Sequence, residues 1–155
     1  MQLSSTTDYA IRITLYLLNH KRIVRSSELS EELKIPKTYI LKVTKKLESA
    51  GIVKSYQGVM GGIDVQKEAE EITLWDVINA IEGIRIINKC FNEDESCERK
   101  NSEDYSVQKV YTFLQRAVDE RLQSIRFSQL LEEADGSLAK ELDVDKKKIR
   151  GGGKK

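Results

Sequence analysis

A chain of 155 residues, 39% hydrophobic and 33% charged, is long enough for one domain plus an appended helix. No apolar run reaches bilayer length and the start lacks the basic, apolar and small-residue series of a signal peptide, so the expected location is the cytoplasm, with no membrane partner. The net charge of +1 conceals an asymmetry: residues 1–60 hold 10 Lys/Arg against 5 Asp/Glu, and residues 61–155 hold 16 against 20.

Ser4-Ser5-Thr6-Thr7 leads into a predicted helix over Asp8–Leu18, where Ala10, Ile11, Ile13, Leu15, Leu17 and Leu18 make most sides apolar. A second helix is predicted from Arg25 to Lys34, with Ser26 or Ser27 as N-cap, Glu28 near the positive end, and Leu29 and Leu33 facing inward. The third runs from Pro36 to Ala50. Pro36 fixes φ and lacks an N–H, which suits a helix start. Ile40, Val43, Thr44 and Leu47 then recur at i, i+3, i+4 and i+7, a single buried face. The other face carries Lys37, Thr38, Leu41, Lys42 and Lys45, with Tyr39 beside them. Lysines there neutralise phosphates, Thr38 donates to a phosphate or a base edge, and Leu41 meets a thymine methyl.

Gly51 stands where a left-handed helix end is wanted. Strands Ile52–Tyr56 and Ile63–Gln66 follow, around the turn Gln57-Gly58-Val59-Met60-Gly61-Gly62. The turn glycines allow a close approach to a phosphate backbone, so Ser55, Gln57 and Gly58 join the candidate DNA contacts. Helix, turn, helix and hairpin in this order make a winged helix-turn-helix, which places its second helix in the major groove. The basic half of the chain is the half that holds this unit.

A further helix spans Ile72–Gly83, with Thr73 and Asp76 in a capping arrangement, Leu74, Val77, Ile78 and Ile81 as its core face, and Trp75 as packing. Cys90 to Asp104 is polar, acidic and aperiodic, and reads as a loop. Val107, Val110, Tyr111, Leu114, Ala117, Val118, Leu122 and Ile125 mark a long helix whose apolar stripe calls for a second copy. The tail from Asp143, with Lys146-Lys147-Lys148, reads as disordered. The predicted class is therefore mostly α with a small β-wing. Its parts are a DNA-binding domain over 1–83, a cysteine-bearing sensor loop over 84–104, a dimerisation helix over 105–131 and a tail over 132–155. With His20 as the single histidine and no nucleophile–base pair, no catalytic residue is assigned.

With Leu3-Ser4, Asp8-Tyr9-Ala10-Ile11-Arg12, the Pro36–Gly51 helix, Gly58 with Gly61-Gly62, Ile72-Thr73-Leu74 before Val77-Ile78, and Cys90 with Cys97, the chain resembles the Rrf2 family of bacterial transcription regulators from about Met1 to Leu131. The resemblance implies a homodimeric regulator, a repressor, that binds a near-palindromic double-stranded DNA operator. Members with an iron–sulfur cluster usually place three cysteines before the dimer helix. Here the first two match Cys90 and Cys97, the third is absent, and Gln108 stands where some members have histidine. Asp8 sits where some members take a carboxylate ligand from the partner subunit. The resemblance thus implies a cluster, of the 2Fe–2S type, on Cys90, Cys97 and Asp8 from the partner, with Glu93, Glu103 or Asp104 as further oxygen donors. The alternatives are a thiol switch, a cofactor-free regulator, or a winged-helix module whose lysine face binds an acidic protein. In the wing, Gln57 replaces an arginine common in the family.

Overall fold

A computed structural model describes residues 3–83 and 104–133. Helix α1 (Ser5–His20) starts at Ser4, whose hydroxyl accepts from the Thr7 N–H, and stops at Lys21 in a left-handed conformation. Its inward face is Thr7, Ala10, Ile13, Thr14, Leu17 and Leu18, while Ile11 and Leu15 are only half-buried, so the helix is two-sided rather than enclosed. Helix α2 (Ser26–Leu33) buries Leu29 and ends at a left-handed Lys34. Its N-cap corrects the sequence expectation: Arg25 occupies that position and makes no side-chain cap bond, and Ser26 is already helical. The reason lies one residue earlier, where Val24 pairs with Ile63 and holds the backbone extended up to the first helical turn.

Helix α3 (Lys37–Ser49) buries Ile40, Val43, Thr44 and Leu47, the expected face. The Thr44 hydroxyl is satisfied inside the helix by the Ile40 carbonyl at 2.8 Å. Gly51, at φ 70°, takes the left-handed turn out of the helix. Strands β1 (Val53–Tyr56) and β2 (Gly62–Val65) pair antiparallel, Val53 opposite Val65 and Tyr56 opposite Gly62. Helix α4 (Leu74–Glu82) begins with a reciprocal capping box: the Asp76 N–H donates to the Thr73 hydroxyl at 3.2 Å and the Thr73 N–H to the Asp76 carboxylate at 2.8 Å. Val77, Ile78 and Ile81 are buried and Trp75 is half-buried.

One core unites these elements, with Ile13, Leu17, Leu29, Ile40, Val43, Leu47, Ile72 and Val77 at its centre. The expected long helix is α5 (Asp104–Ser124), which packs on α4. It does not run on through residue 131. The Ile125 carbonyl accepts from the Leu74 N–H at 2.8 Å, the Phe127 N–H donates to the Ile72 carbonyl at 2.9 Å, and a second short helix, α6 (Phe127–Glu133), follows. Phe127 is fully buried in the core of the N-terminal helices. Cys90, Cys97, Glu93, Glu103 and the tail from Asp143 lie outside the described residues, as does the side chain of Asp104.

Candidate nucleic-acid interface

The outer face of α3 is built by subtraction. Four residues of the helix face the core, and Lys37, Thr38, Tyr39, Leu41, Lys42 and Lys45 are left exposed on the other side. Leu41 is 55% exposed amid these cations, an apolar side chain with no protein surface to cover it. Tyr39 is steadied by an edge contact with Tyr9 of α1, ring centres 5.6 Å apart. Among the described residues Lys37, Lys42 and Lys45 enter no ion pair. They form an unneutralised cationic ridge suited to phosphate.

Beside α3 the hairpin rises to a tip formed by Gln57, Gly58, Val59 and Met60, all exposed. Gly61 is required by close packing, because a Cβ there would overlap the Tyr56 carbonyl oxygen. An open groove of about 630 Å³ separates hairpin and helix; Leu41, Lys45, Ser55, Gln57 and Gly58 line it, with Arg25 and Glu48. The structure thus brings most sequence-predicted contacts to one surface. Ser55 is less available than the sequence suggested: its N–H donates to one oxygen of Glu48 at 2.8 Å and its hydroxyl to the other at 3.3 Å. Glu48 therefore ties β1 to the end of α3 and sets the angle between wing and helix.

Two further ties escaped the sequence reading. The Lys46 ammonium donates to the Ile81 carbonyl at 2.8 Å, which links α3 to the last turn of α4. Glu82, the final residue of α4, accepts from the Ser4 N–H at 3.0 Å and from the buried Thr7 hydroxyl. The recognition helix, the start of α1 and the end of α4 are therefore joined at the point where the chain leaves toward Cys90. Asp8, one residue past Thr7, lies at the same end. Its carboxylate is 65% exposed and faces Arg12 at 3.7 Å, while Arg12 also donates to the Leu33 carbonyl at the end of α2. No group of three or more metal-binding side chains forms among the described residues, so of the expected ligand set they supply Asp8 alone.

The hydrogen bonds from Ser4 and Thr7 hold the Glu82 carboxyl below the usual glutamate range, with Lys46 adding to the effect. A folded pKa below the unfolded one means this stabilisation is complete above the unfolded value and fades as pH falls through the folded value. Glu82→Gln should cost about 1 kcal/mol at neutral pH, discounted for solvent screening at this exposed side chain. The gap between variant and wild type should close as the pH is lowered below the ordinary glutamate range in denaturant unfolding. A gap that persists in acid would show that the carboxylate charge contributes nothing.

The family described as "Rrf2: Iron-dependent Transcriptional regulator" matches residues 3–133. The HTH-type transcriptional regulator NsrR of Shouchella clausii is 34% identical over 96 residues, which is 61% of this chain and 64% of that protein. The chain spans 55% to 64% of the length of the curated relatives it matches. Among solved structures, CymR, the global cysteine regulator of B. subtilis, superposes with a TM-score of 0.66 at 23% identity, over 85% of this chain and 97% of that one. T. potens IscR gives 0.65 at 22% identity, over 86% and 88%. At these identities the two structures speak to the fold alone. No helix among the described residues is long and apolar enough to cross a membrane.

Proposed function

Because this chain belongs to the Rrf2 family of transcriptional regulators and is not an enzyme, we propose that it binds a near-palindromic operator as a homodimer and represses from it. The observation that carries this reading is the exposed cationic face of α3 beside the wing, whose Lys37, Lys42 and Lys45 enter no ion pair among the described residues. Each protomer would lay α3 in a major groove, with Lys37, Lys42 and Lys45 toward phosphates and Thr38 and Leu41 toward base edges. Val107, Val110, Tyr111, Phe113 and Leu114 are exposed along α5 in the single chain, and Phe113 is 71% exposed. Such a stripe fits a second copy of the same helix.

The signal is read as iron or redox state at Cys90 and Cys97. Support comes from the family's iron dependence and from the exposed Asp8 at the end of the fold where the chain departs toward both thiols. A 2Fe–2S cluster bound there, with Asp8 donated across the dimer, would supply reversible redox and nitrosative chemistry. This chain's own contribution is the joint made by Lys46 and Glu82, through which a change beyond Gly83 biases α3.

The test uses the full chain purified without oxygen and challenged with a random-sequence duplex library. A regulator enriches a two-fold-symmetric duplex and binds it at least about a thousandfold more tightly than random DNA. A protein-interaction module shows only weak, salt-sensitive binding to every duplex, which would defeat the reading. The same preparation should be brown, and Cys90→Ala should be colourless yet folded. Colourless wild type from iron-replete cells would replace the cluster with a thiol switch or a cofactor-free regulator.

A further inference from the structure

The hairpin turn from Gln57 to Gly62 has no charged side chain, yet a cation stands at its tip. Arg25, the residue before α2, donates from its guanidinium to the Val59 carbonyl oxygen at 2.9 Å. The backbone builds this placement in. The Val24 N–H donates to the Ile63 carbonyl at 2.9 Å and the Ile63 N–H to the Val24 carbonyl at 2.8 Å, so the approach to α2 runs alongside β2. Gly62 permits that closeness, since a Cβ there would lie 2.6 Å from the Val24 oxygen.

Arg25 is exposed and has no carboxylate partner among the described residues. A guanidinium has five N–H donors, so the bond to Val59 leaves most of them for a ligand. Next to it Val59 and Met60 are 86% and 85% exposed. A cation held by a carbonyl between two bare apolar side chains makes a narrow ridge with a charged edge. The minor groove of A·T-rich DNA is narrow and concentrates negative potential, which attracts arginine, and proteins that bind this groove frequently bring apolar side chains such as Met against its base steps. Arg25 and Lys45 line the same groove, so one duplex laid along α3 continues to this ridge.

We infer that Arg25, although outside the hairpin, is the residue with which the wing enters the minor groove, beside Val59 and Met60, and that it favours A·T-rich flanks around each half-site. This inference rests on the DNA-binding reading above. The test uses the full chain and the duplex recovered by selection, with the flanking pairs set to A·T, G·C or inosine·C. Inosine·C keeps the major-groove face of G·C and lacks the guanine amino group in the minor groove.

Wild type should bind the A·T and inosine·C versions about tenfold more tightly than the G·C version. Arg25→Ala should erase that preference and lower the slope of log affinity on log salt by about one, and Arg25→Lys should keep the slope and lose part of the preference. If Arg25→Ala weakens all three duplexes equally with an unchanged slope, Arg25 only braces the hairpin and the inference fails. It fails too if Arg25→Ala changes nothing while Lys42→Ala still weakens binding. A chain that selects no duplex overturns the DNA-binding reading itself, a separate outcome.

Discussion

Replacing Lys42 and Lys45 together with alanine is expected to weaken binding to the selected duplex about a hundredfold, and to reduce the slope of log affinity on log salt by about two. Both side chains are exposed on α3 and neither is paired with an acid among the described residues. Their removal therefore takes away phosphate contacts and nothing that holds the helix. The buried face of Ile40, Val43 and Leu47 is untouched, and alanine is the better helix former. Melting should accordingly stay within about 0.5 kcal/mol of wild type. Fluorescence anisotropy across a salt series, with circular dichroism melting as the control, checks both halves. A double variant with the wild-type slope would mean that α3 does not lie in the groove.

Leu114→Glu should have the second large effect, and its sign is set by where Leu114 sits. In the single chain it is exposed, on the stripe of Val107, Val110 and Tyr111, so a carboxylate there disturbs no core and the protomer should fold normally. In the proposed two-fold dimer the same position would be buried twice, and an unpaired carboxylate at such a seam costs several kcal/mol. At about 4 kcal/mol the dissociation constant rises roughly a thousandfold, enough to yield monomers at micromolar concentration and to abolish operator binding. Light scattering reads the mass and a DNA-binding titration reads the consequence. A variant that remains a dimer would move the interface off this stripe.

The parts of the fold that follow from local pattern were legible in the residues. The buried face of α3, the left-handed Gly51 and the Thr73–Asp76 cap each depend on neighbours within one or two helical turns. What escaped was long-range. Arg25 looked like the residue before a serine cap, and only the pairing of Val24 with Ile63 explains why it stands at the N-cap position and reaches Val59. Ser55 looked free for DNA until Glu48 was found across the turn. Nothing in the period of α3 singles out Lys46, whose ammonium bonds the end of α4 35 residues away. The period of the apolar stripe in α5 continues toward Ile125, and nothing in that period announces that Phe127 turns back into the first core.

That return of Phe127 changes what counts as a unit of this protein. Residues 3–83 and 125–133 share one hydrophobic interior, so the DNA-binding body is discontinuous in sequence and α5 belongs to an insertion within it. A chain cut after Gly83 would keep every residue of the proposed DNA-contacting surface and still lose Phe127, which is fully buried in its core. Such a vacancy costs about 3–5 kcal/mol, a large share of the stability of an ordinary domain. The bonds at Ile125 and Phe127 tie the C-terminal end of α5 to that body. In the proposed dimer, a rotation of one copy against the other would turn both winged bodies with it, and the spacing between the two α3 helices would become a property of the whole assembly.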